Sequence, residues 1–253
     1  MTNSSSSSVS IITATFNSAS VLPRLIDSLI EQTDQDFEWI VADGGSNDET
    51  LRIIEKARPR LKKVIIDSQV DFGIYDALNR GIRLSTTEFY LVLGSDDQLH
   101  KHGIETLKNL RDSTNADLIS CKTNSGNKVT SVRLPRWEFL FSQFAHVASH
   151  AVGLLIRKKL HESVGYYSKQ YPIAADQLFI LSAISNGAKV YRSDAIVGTF
   201  SEGGISNLDA AGSLTEMFRI NVAMGHNFYI QLLLFLLRIL KNRTKVIEFK
   251  IRK

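Results

Sequence analysis

The first 120 residues alternate between short apolar runs and stretches in which apolar residues recur at helical spacing. The runs are rich in β-branched and aromatic residues and fall at 9–16, 37–42, 64–66, 89–93 and 117–120. Between the first two, leucine, valine and isoleucine recur every three or four residues from Val21 to Ile30. This alternation predicts βαβ units, and therefore parallel strands, right-handed crossovers and helices against the sheet.

The second half of the chain is less regular. The sequence predicts a hairpin turn at 125–128, a short aromatic helix at 137–144, a strand at 152–156 and a helix at 174–184. It also predicts either a strand pair or one long strand at 189–200. The helix at 174–184 is apolar almost all round, so we expect it to be buried. With no internal repeat and no clear linker, we expect one domain over 9–225. A serine-rich, disordered lead-in is expected at 1–8, and an appendage at 226–253.

Polar residues follow each predicted strand of the first half. They are Thr13 to Asn17, Asp43, the segment 67–71, and Ser95-Asp96-Asp97. In open α/β sheets, ligands bind beyond the carboxyl ends of the strands. These residues are therefore the first candidates for a binding site.

Asp96 and Asp97 are adjacent carboxylates at the end of a strand that we expect to be buried. Their negative charges repel each other, and a bound divalent cation commonly offsets this repulsion. Oxygen ligands favour Mg²⁺ or Mn²⁺, which also bridge phosphates. The alternative, a solvated turn that caps the next helix near Lys101, is the more common structure for such a pair taken alone.

Two further polar segments can each be explained either by local structure alone or by ligand binding. Asp43-Gly44-Gly45 fits a turn with Ser46 or Asn47 capping the next helix, or a carboxylate that accepts a ligand's hydrogen bond beside flexible glycines. In the run from Asp71 to Asn79, Asp76 and Asn79 share one helix face. That face is either simply solvated or turned toward a ligand.

The combination of these segments is more specific than any one of them. The chain reads VSIITATFN at 9–17, VADGGSNDET at 41–50, DFGIYDALNRGI at 71–82 and GSDD at 94–97. In this order, the segments resemble the family-two glycosyltransferases, which have the GT-A fold: an α/β, Rossmann-like mixed sheet flanked by helices. DFGIYDALNRGI is similar to the signature of bacterial exopolysaccharide and lipopolysaccharide transferases, including the colanic-acid type. The resemblance extends over 9–206 and is strongest in the first hundred residues.

The resemblance implies a donor-binding half at 9–122 and an acceptor half at 123–225. Asp43 matches the carboxylate that accepts from uracil N3–H in a uridine-diphosphate sugar. Asp96 matches the acid that contacts the ribose or the metal, and Asp97 the last metal-binding acid, with Mn²⁺ or Mg²⁺ as the cofactor. Gly94 stands where many relatives carry Asp or Asn. The remaining donor-binding residues that we expect are Thr13, Thr15, Asn17, Asp71, Gly73, Asp76, Asn79 and Ser95.

The acceptor half supplies the expected catalytic groups. Asp176 matches the family's general base, and an acceptor hydroxyl needs one because of its high pKa. The alternative for Asp176 is a helix N-cap, and both roles can coexist. His150 matches a histidine common in these relatives, near the donor phosphates or the acceptor. A structural role for His150 is equally open. The segment 203–206 resembles a Gly-Gly-Ile-Ser loop over the donor.

The C-terminal appendage combines an apolar stretch with a basic tail. Residues 228–240 are almost entirely apolar but too few to span a bilayer. Between Arg238 and Lys253, seven Lys and Arg residues accompany one Glu, so this segment carries +6 of a chain whose net charge is +4. The remaining charge of −2 argues against a nucleic-acid partner. We expect either an in-plane anchor at 228–253 on an anionic membrane or a helix docked on the body.

The resemblance, taken with these features, implies an inverting, metal-dependent glycosyltransferase of surface polysaccharide biosynthesis. We expect it to be peripheral on the cytoplasmic face of the plasma membrane and to act on a glycan or polyprenyl-linked glycan. One alternative is a sugar-nucleotide nucleotidyltransferase, but the loop 13–20 lacks the Gly and Lys or Arg expected around a triphosphate. A second alternative is a non-catalytic, membrane-associated partner that binds a sugar nucleotide. Against it, the chain carries both Asp97 and Asp176.

Overall fold

The computed structural model describes residues 8–133, 135–149, 151–201 and 209–248. Residues 1–7 of the expected lead-in and 249–253 of the basic tail lie outside this part. The strands are β1 Val9–Thr15, β2 Phe37–Asp43, β3 Val64–Ser68, β4 Phe89–Val92, β5 Gln98–Leu99, β6 Leu118–Ser125, β7 Lys128–Val129, β8 Leu154–Arg157 and β9 Val190–Phe200. The helices are α1 Leu22–Ile30, α2 Thr50–Ala57, α3 Ile74–Leu84, α4 Gly103–Ser113, α5 Glu138–Phe141, α6 Leu160–Val164, α7 Ala175–Ser185, α8 Ala210–Ala223, α9 Phe228–Lys241 and α10 Arg243–Glu248.

The strands form one mixed sheet in the order β3-β2-β1-β4-β8-β6-β9-β5, with β7 paired to β6. The first four of this order run parallel, with Thr15 beside Asp43 and Asp43 beside Ser68. Antiparallel β8 joins this part to β6, and β9 runs parallel to β6. The expected mixed sheet is confirmed. The region 189–200 is one long strand, β9.

Two hydrophobic cores cover the two faces of the sheet. Alternate residues of β1 point to opposite faces, so Ile11 belongs to one core and Ile12 to the other. The core around Ile11 is completed by α1, α2 and α4. The core around Ile12 is completed by α3, α6 and α7. Because the central strands are buried on both sides, polar ligands reach them at the strand ends, and in sheets of this kind they bind at the carboxyl ends.

Two glycines fix the position of α3. Gly73 precedes the helix with φ +110°, a conformation that L-residues with side chains rarely adopt. Gly81 lies so close to β1 that a Cβ there would be 2.5 Å from a methyl carbon of Ile12. α3 therefore packs tightly on the sheet, and its first turn, with Tyr75, lies near the carboxyl ends of the strands.

The start of α2 differs from the expectation. Neither Ser46 nor Asn47 caps it, so that prediction is wrong. The helix starts at Thr50, whose N–H donates to the Asp48 carboxylate, and the cap residue Glu49 makes no side-chain capping bond. The Ser46 hydroxyl has other partners: it donates to Asp43, and its oxygen accepts the N–H of Asn17.

Helix α9 has one docked face and one exposed face. On the docked face, Gln231 and Arg238 donate to the carbonyl oxygens of Phe139 and Leu140, and Phe235 packs on Phe218 of α8. On the other face, Tyr229, Leu233, Leu237 and Leu240 are between 52% and 78% exposed. No helix in the described ranges has the length and apolar character needed to cross a membrane.

Candidate active site

A cleft of about 620 Å³ opens at the carboxyl ends of β1 and β4. The end of β4 contributes Ser95, Asp96 and Asp97, and the start of α7 contributes Asp176. Further lining residues come from α3, α8 and the turn around Gln143, together with Tyr167, Phe200 and Ser201. The fold thus brings the predicted metal acids and the predicted base, which are about 80 residues apart in the sequence, into one cavity.

The two adjacent acids have different surroundings. Asp97 is 2% exposed, and its oxygens accept the N–H groups of Gly94 at 2.7 Å and Ser201 at 2.9 Å. It therefore joins the loop after β4 to the end of β9. Asp96 is only partly buried. A Cβ at Gly94 would lie 3.1 Å from Asp96 and 2.9 Å from Asp97, so a side chain at this position would crowd both acids.

The donor set of this loop fits a hard divalent cation that is completed by substrate. The described residues contain no group of three or more His, Cys, Asp or Glu arranged to hold a metal. Mg²⁺ usually keeps several waters and takes one or two carboxylates together with substrate phosphates. Asp96, partly exposed in the cleft, suits that mode. Asp97 accepts backbone N–H groups on both of its oxygens and so holds the loop after β4, which positions Asp96.

Asp176 lies in the first turn of α7 and is hydrogen-bonded by a tyrosine from the donor half. The Tyr75 hydroxyl lies 2.6 Å from Asp176 Oδ1 and 2.9 Å from the Ile173 carbonyl oxygen. Burial raises the pKa of Tyr75 well above its ordinary value, and the Asp176 charge raises it further. The residue at the N-cap position is Ala174. Asp176 is therefore not the N-cap residue of α7, contrary to the alternative we considered.

A buried carboxylate from α8 caps α7 instead. Oε2 of Glu216 accepts the N–H groups of Ile173 at 3.0 Å and Ala174 at 2.8 Å. These groups lie at the amino end of the helix, where intrahelical acceptors are lacking and negative charge is favourable. Asp176, the predicted base, is therefore contacted by α3, and the backbone just before it is held by α8.

Asp43 is saturated with hydrogen bonds inside the fold. It is fully buried and accepts from the hydroxyls of Thr15, Ser46 and Ser68 and from the N–H groups of Gly45 and Ser46, at 2.5 to 3.0 Å. Burial raises the pKa of Asp43, but these bonds outweigh it and leave the pKa below the ordinary value. We correct the expectation that Asp43 reads the uracil, because no face of this carboxylate is open to a ligand.

The polar residues at the end of β1 and just after it have structural contacts as well. Thr13 is fully buried and accepts from the indole N–H of Trp39, and Thr15 donates to Asp43. Asn17 has φ +47°. Its N–H donates to Ser46, and its side chain accepts the N–H of Asn47. These contacts hold the loops after β1 and β2 together. None of the three lines the cleft.

The segment before α3 is organised around Arg80. Its guanidinium donates to the Asp67 carboxylate at 2.7 Å and to the Asp43 carbonyl oxygen at 2.9 Å, and lies 3.7 Å from the Asp71 carboxylate. Asp71 also accepts the N–H of Gly73. The loops after β2 and β3 are thereby joined beside Gly44, where a Cβ would meet Asp71 at 2.8 Å.

The two polar residues of the predicted α3 face have different partners. Asp76 pairs with Lys169 at 3.0 Å, and the hydrogen bond from Lys169 lowers the pKa of Asp76. Asn79 is buried, with its amide nitrogen and oxygen bonded to the backbone oxygen and nitrogen of Tyr167. Asn79 therefore joins the two halves of the fold, and at 3% exposure it is shielded from the cleft. His150 and the segment 203–206 lie outside the described residues.

Sequence reasoning missed three residues of the site. Tyr75 lay within the quoted motif, but nothing local identified its partner. Glu216 is the only acid of α8, and an isolated acid in an apolar helix is a usable signal. Gln143 lines the cleft, and its buried side-chain oxygen has no hydrogen-bond partner among the described residues.

The fold is that of the GT-A glycosyltransferases, as comparison with solved structures shows. The chain covers 43% of the Staphylococcus aureus TarS structure, with a TM-score of 0.69 and 22% identity. It covers 79% of TarS 1–349 in complex with UDP-GlcNAc, with 96% of this chain aligned, a TM-score of 0.66 and 21% identity. Glucosyl-3-phosphoglycerate synthase from Mycobacterium tuberculosis, in a complex with Mn²⁺, UDP and glucosyl-3-phosphoglycerate, gives a TM-score of 0.63 at 16% identity over 85% of this chain and 80% of that one.

Sequence similarity identifies the family. The profile described as Glycosyl transferase family 2 matches residues 10–185. A "PGL/p-HBAD biosynthesis glycosyltransferase" of Mycobacterium bovis is 33% identical over 239 residues, covering 88% of each chain. The chain belongs to glycosyl transferase family 2, as its motifs indicated.

Proposed function

We propose that this chain transfers a sugar from a uridine-diphosphate donor to a hydroxyl of a glycan or lipid-linked glycan, with inversion at the anomeric carbon. The observation that carries the proposal is the placement of Asp96 and Asp176 in one cleft, with Asp176 fixed by Tyr75. Uridine is inferred from the complexes of TarS with UDP-GlcNAc and of glucosyl-3-phosphoglycerate synthase with UDP. By its resemblance to exopolysaccharide and lipopolysaccharide transferases, we place the activity in surface polysaccharide biosynthesis.

Asp96 and Ser95 are the proposed contacts to the donor diphosphate and its metal. A bound Mn²⁺ or Mg²⁺ would neutralise charge on the departing diphosphate. The Asp43 and Asp71 clusters, with Thr15, Asn17 and Gly73, would act by shaping the loops that border the nucleotide. Thr13, Asp76 and Asn79 are not included in the proposed contact set, because their bonds hold the fold together.

Asp176 is the proposed general base. As the acceptor oxygen bonds to the anomeric carbon, Asp176 accepts the hydroxyl proton, and the bond from that carbon to the diphosphate oxygen breaks. Attack from the face opposite the leaving group inverts the configuration in one displacement. The buried oxygen of Gln143, which has no partner among the described residues, is suited to accept a hydrogen bond from another hydroxyl of the acceptor.

A lipid-linked acceptor is supported by the way α8 connects the cleft to α9. Met217 and Ser213 of α8 line the cleft, while Phe218 of the same helix packs on Phe228 and Phe235 of α9. The exposed face of α9 and the following Lys241, Arg243 and Lys245 form an apolar strip with basic residues at one end. This surface would lie in the plane of an anionic cytoplasmic leaflet, close to a membrane-bound acceptor.

A screen of nucleotide sugars for hydrolysis tests the proposal. Nucleotide release from UDP-, dTDP-, GDP-, CDP- and ADP-sugars would be measured with Mn²⁺ and with EDTA. We expect Mn²⁺-dependent release, fastest with a UDP-sugar. Pyrophosphate-dependent conversion of a sugar nucleotide to a nucleoside triphosphate and a sugar 1-phosphate would support the nucleotidyltransferase instead. Binding without turnover, even with candidate acceptors, would support the non-catalytic partner.

A further inference from the structure

We propose that Trp137, Arg133 and Arg136 form a second contact with the anionic leaflet, beside α9, and that this contact holds the acceptor end of the cleft against the membrane. The inference rests on the proposed contact of α9 with that leaflet, and it names the part of the body that binds together with α9. All three side chains are exposed, and the exposed fraction of Trp137 is 40%.

The aromatic segment 135–141, which carries Trp137, lies alongside α9. Gln231 and Arg238, two turns apart on that helix, donate to the carbonyl oxygens of Phe139 at 2.7 Å and Leu140 at 2.6 Å. Both bonds come from the docked face of α9, so the segment does not cover the exposed apolar face. The aromatic segment therefore flanks the surface that we place on the leaflet.

The side chains of this segment have the chemistry of a membrane interface. The Trp137 ring packs on Phe139 with ring centres 5.8 Å apart, and the guanidinium carbon of Arg133 lies 5.5 Å from the ring centre of Phe141. Tryptophan is enriched where a membrane meets water, because the indole has an apolar body and one N–H donor. An arginine in the same layer can pair with lipid phosphates.

The charge of this surface identifies an anionic partner. Neither Arg133 nor Arg136 forms an ion pair with a residue in the described part of the chain. Beyond the end of the exposed apolar strip, α9 and α10 add Lys241, Arg243 and Lys245. Positive charge around an exposed apolar and aromatic surface is complementary to a leaflet that contains anionic lipids.

The same part of the chain also forms a wall of the cleft. The backbone N–H of Arg133 donates to the carbonyl oxygen of Phe144 at 2.7 Å, and Phe144 lines the cleft. Just before it, the Ser142 hydroxyl accepts from the Gln177 side chain at 2.7 Å, in the first turn of α7. A leaflet that contacts Trp137 is thereby linked to the helix that carries the proposed base. The acceptor end of the cleft would then lie at a fixed distance from a lipid-linked acceptor.

Tryptophan fluorescence tests the contact directly. The chain has two tryptophans, and Trp39 is fully buried, so Trp137 is the one that a vesicle can reach. Emission would be recorded with vesicles of phosphatidylcholine alone or mixed with phosphatidylglycerol, each with and without brominated lipids as short-range quenchers. With the anionic vesicles, we expect the parent emission to shift to shorter wavelength and to be quenched. Trp137→Phe should show neither change.

Sedimentation with the same vesicles measures the affinity, beside thermal melts and donor hydrolysis. Trp137→Ser, and a double variant with Arg133→Gln and Arg136→Gln, should each bind about tenfold or more weakly at low salt, with parental melts and hydrolysis. High salt should reduce the effect of the arginine changes but not that of Trp137→Ser. Leu84→Ser is the control, because Leu84 is also 40% exposed but lies at the end of α3 away from the cleft.

The outcomes separate this inference from the proposal on which it rests. If the parent sediments with anionic vesicles while its emission is neither shifted nor quenched, the second contact is wrong and α9 alone binds. If the parent does not sediment at all, the membrane contact of α9 is wrong as well. An emission shift that follows protein concentration without vesicles would show that a second copy of the chain covers Trp137, which also overturns the inference.

Discussion

Oε2 of Glu216 lies 2.8 Å from the backbone nitrogen of Ala174, so a carboxylate from α8 caps the helix that carries the proposed base. The same oxygen accepts the N–H of Ile173. Helix caps are usually supplied by the N-cap side chain itself. Here that residue is an alanine, and the cap comes from a residue more than 40 positions later in the chain. The orientation of Asp176 therefore depends on how α8 packs.

We predict that Glu216→Ala destabilises the protein and lowers its activity together. The change leaves two N–H groups without their acceptor, at a cost of about 1–3 kcal/mol for each buried group that water cannot reach. For a chain of this size, each kcal/mol lowers the melting temperature by about 2–4 °C. The exposed Glu162 on α6 provides the control, since Glu162→Ala should leave the melt unchanged. A Glu216→Ala protein with a parental melt would show that this cap is dispensable.

The two acids after β4 should behave differently when each is changed to its amide. Asp96→Asn should keep the melting temperature within about 1 °C but weaken Mn²⁺-dependent UDP binding about tenfold or more, because an amide is a poor ligand for a hard cation. Asp97→Asn should lower the melting temperature, because one amide group cannot accept from both Gly94 and Ser201. Calorimetric titration with UDP, with and without Mn²⁺, beside melts of both proteins, checks this. Equal effects of the two substitutions would argue against this division of roles.

Asp43 should contribute to stability in a pH-dependent way. Its pKa in the folded protein is lowered, so ionisation favours the folded state. That contribution is complete above the unfolded-state pKa near 4 and is lost as the pH falls through the folded value. We predict that Asp43→Asn is less stable than the parent by about 1.5–3 kcal/mol at pH 7, with a gap that narrows toward pH 3. Urea unfolding at several pH values measures this difference in the free energy of unfolding. Asp27→Asn, at an exposed position of α1, is the control. A gap independent of pH would contradict the assignment.

The exposed face of α9 should mediate binding to anionic vesicles. Changing Leu233, Leu237 and Leu240 to serine removes one face at i, i+4, i+7 spacing and spares the docked residues Gln231 and Arg238. We expect the parent to sediment with anionic vesicles less strongly at high salt, and the triple variant to stay in solution with a parental melt. The matched control is Val129→Ser, an exposed apolar residue on β7. Vesicle binding by the triple variant equal to that of the parent would exclude this face as the contact.

The periodicity of the first half was enough to predict the sheet and the position of Asp96 and Asp97, because strand ends in such sheets converge on one edge. Family motifs placed Asp176, and the cleft brings it to the same cavity. The contacts that organise these residues could not be predicted, because they join distant segments. Tyr75 to Asp176 and Glu216 to Ala174 are tertiary contacts with no local pattern. Asp43 was misassigned because a motif shows a residue type, whereas only the structure shows that its oxygens are already occupied.

The same limit applies to the appendage. Its composition suggested either a membrane anchor or a docked helix, and the structure shows a helix with one docked and one exposed face. Gln231 is the residue that decides this, because it is a polar side chain buried against the backbone of Phe139 within an otherwise apolar stretch. A hydropathy pattern cannot distinguish a residue in this position from one facing solvent.

The turnover of Asp176→Asn, measured with the UDP-sugar that the parent uses, tests the central claim most directly. Asp194→Asn, which alters an acid whose side chain is 95% exposed, is the control. If Asp176 is the general base, the variant should bind UDP with parental affinity in Mn²⁺ while transfer falls roughly 10²-fold or more. Parental transfer by Asp176→Asn would contradict this claim. So would a variant that binds UDP poorly but transfers sugar at the parental rate once its donor site is saturated.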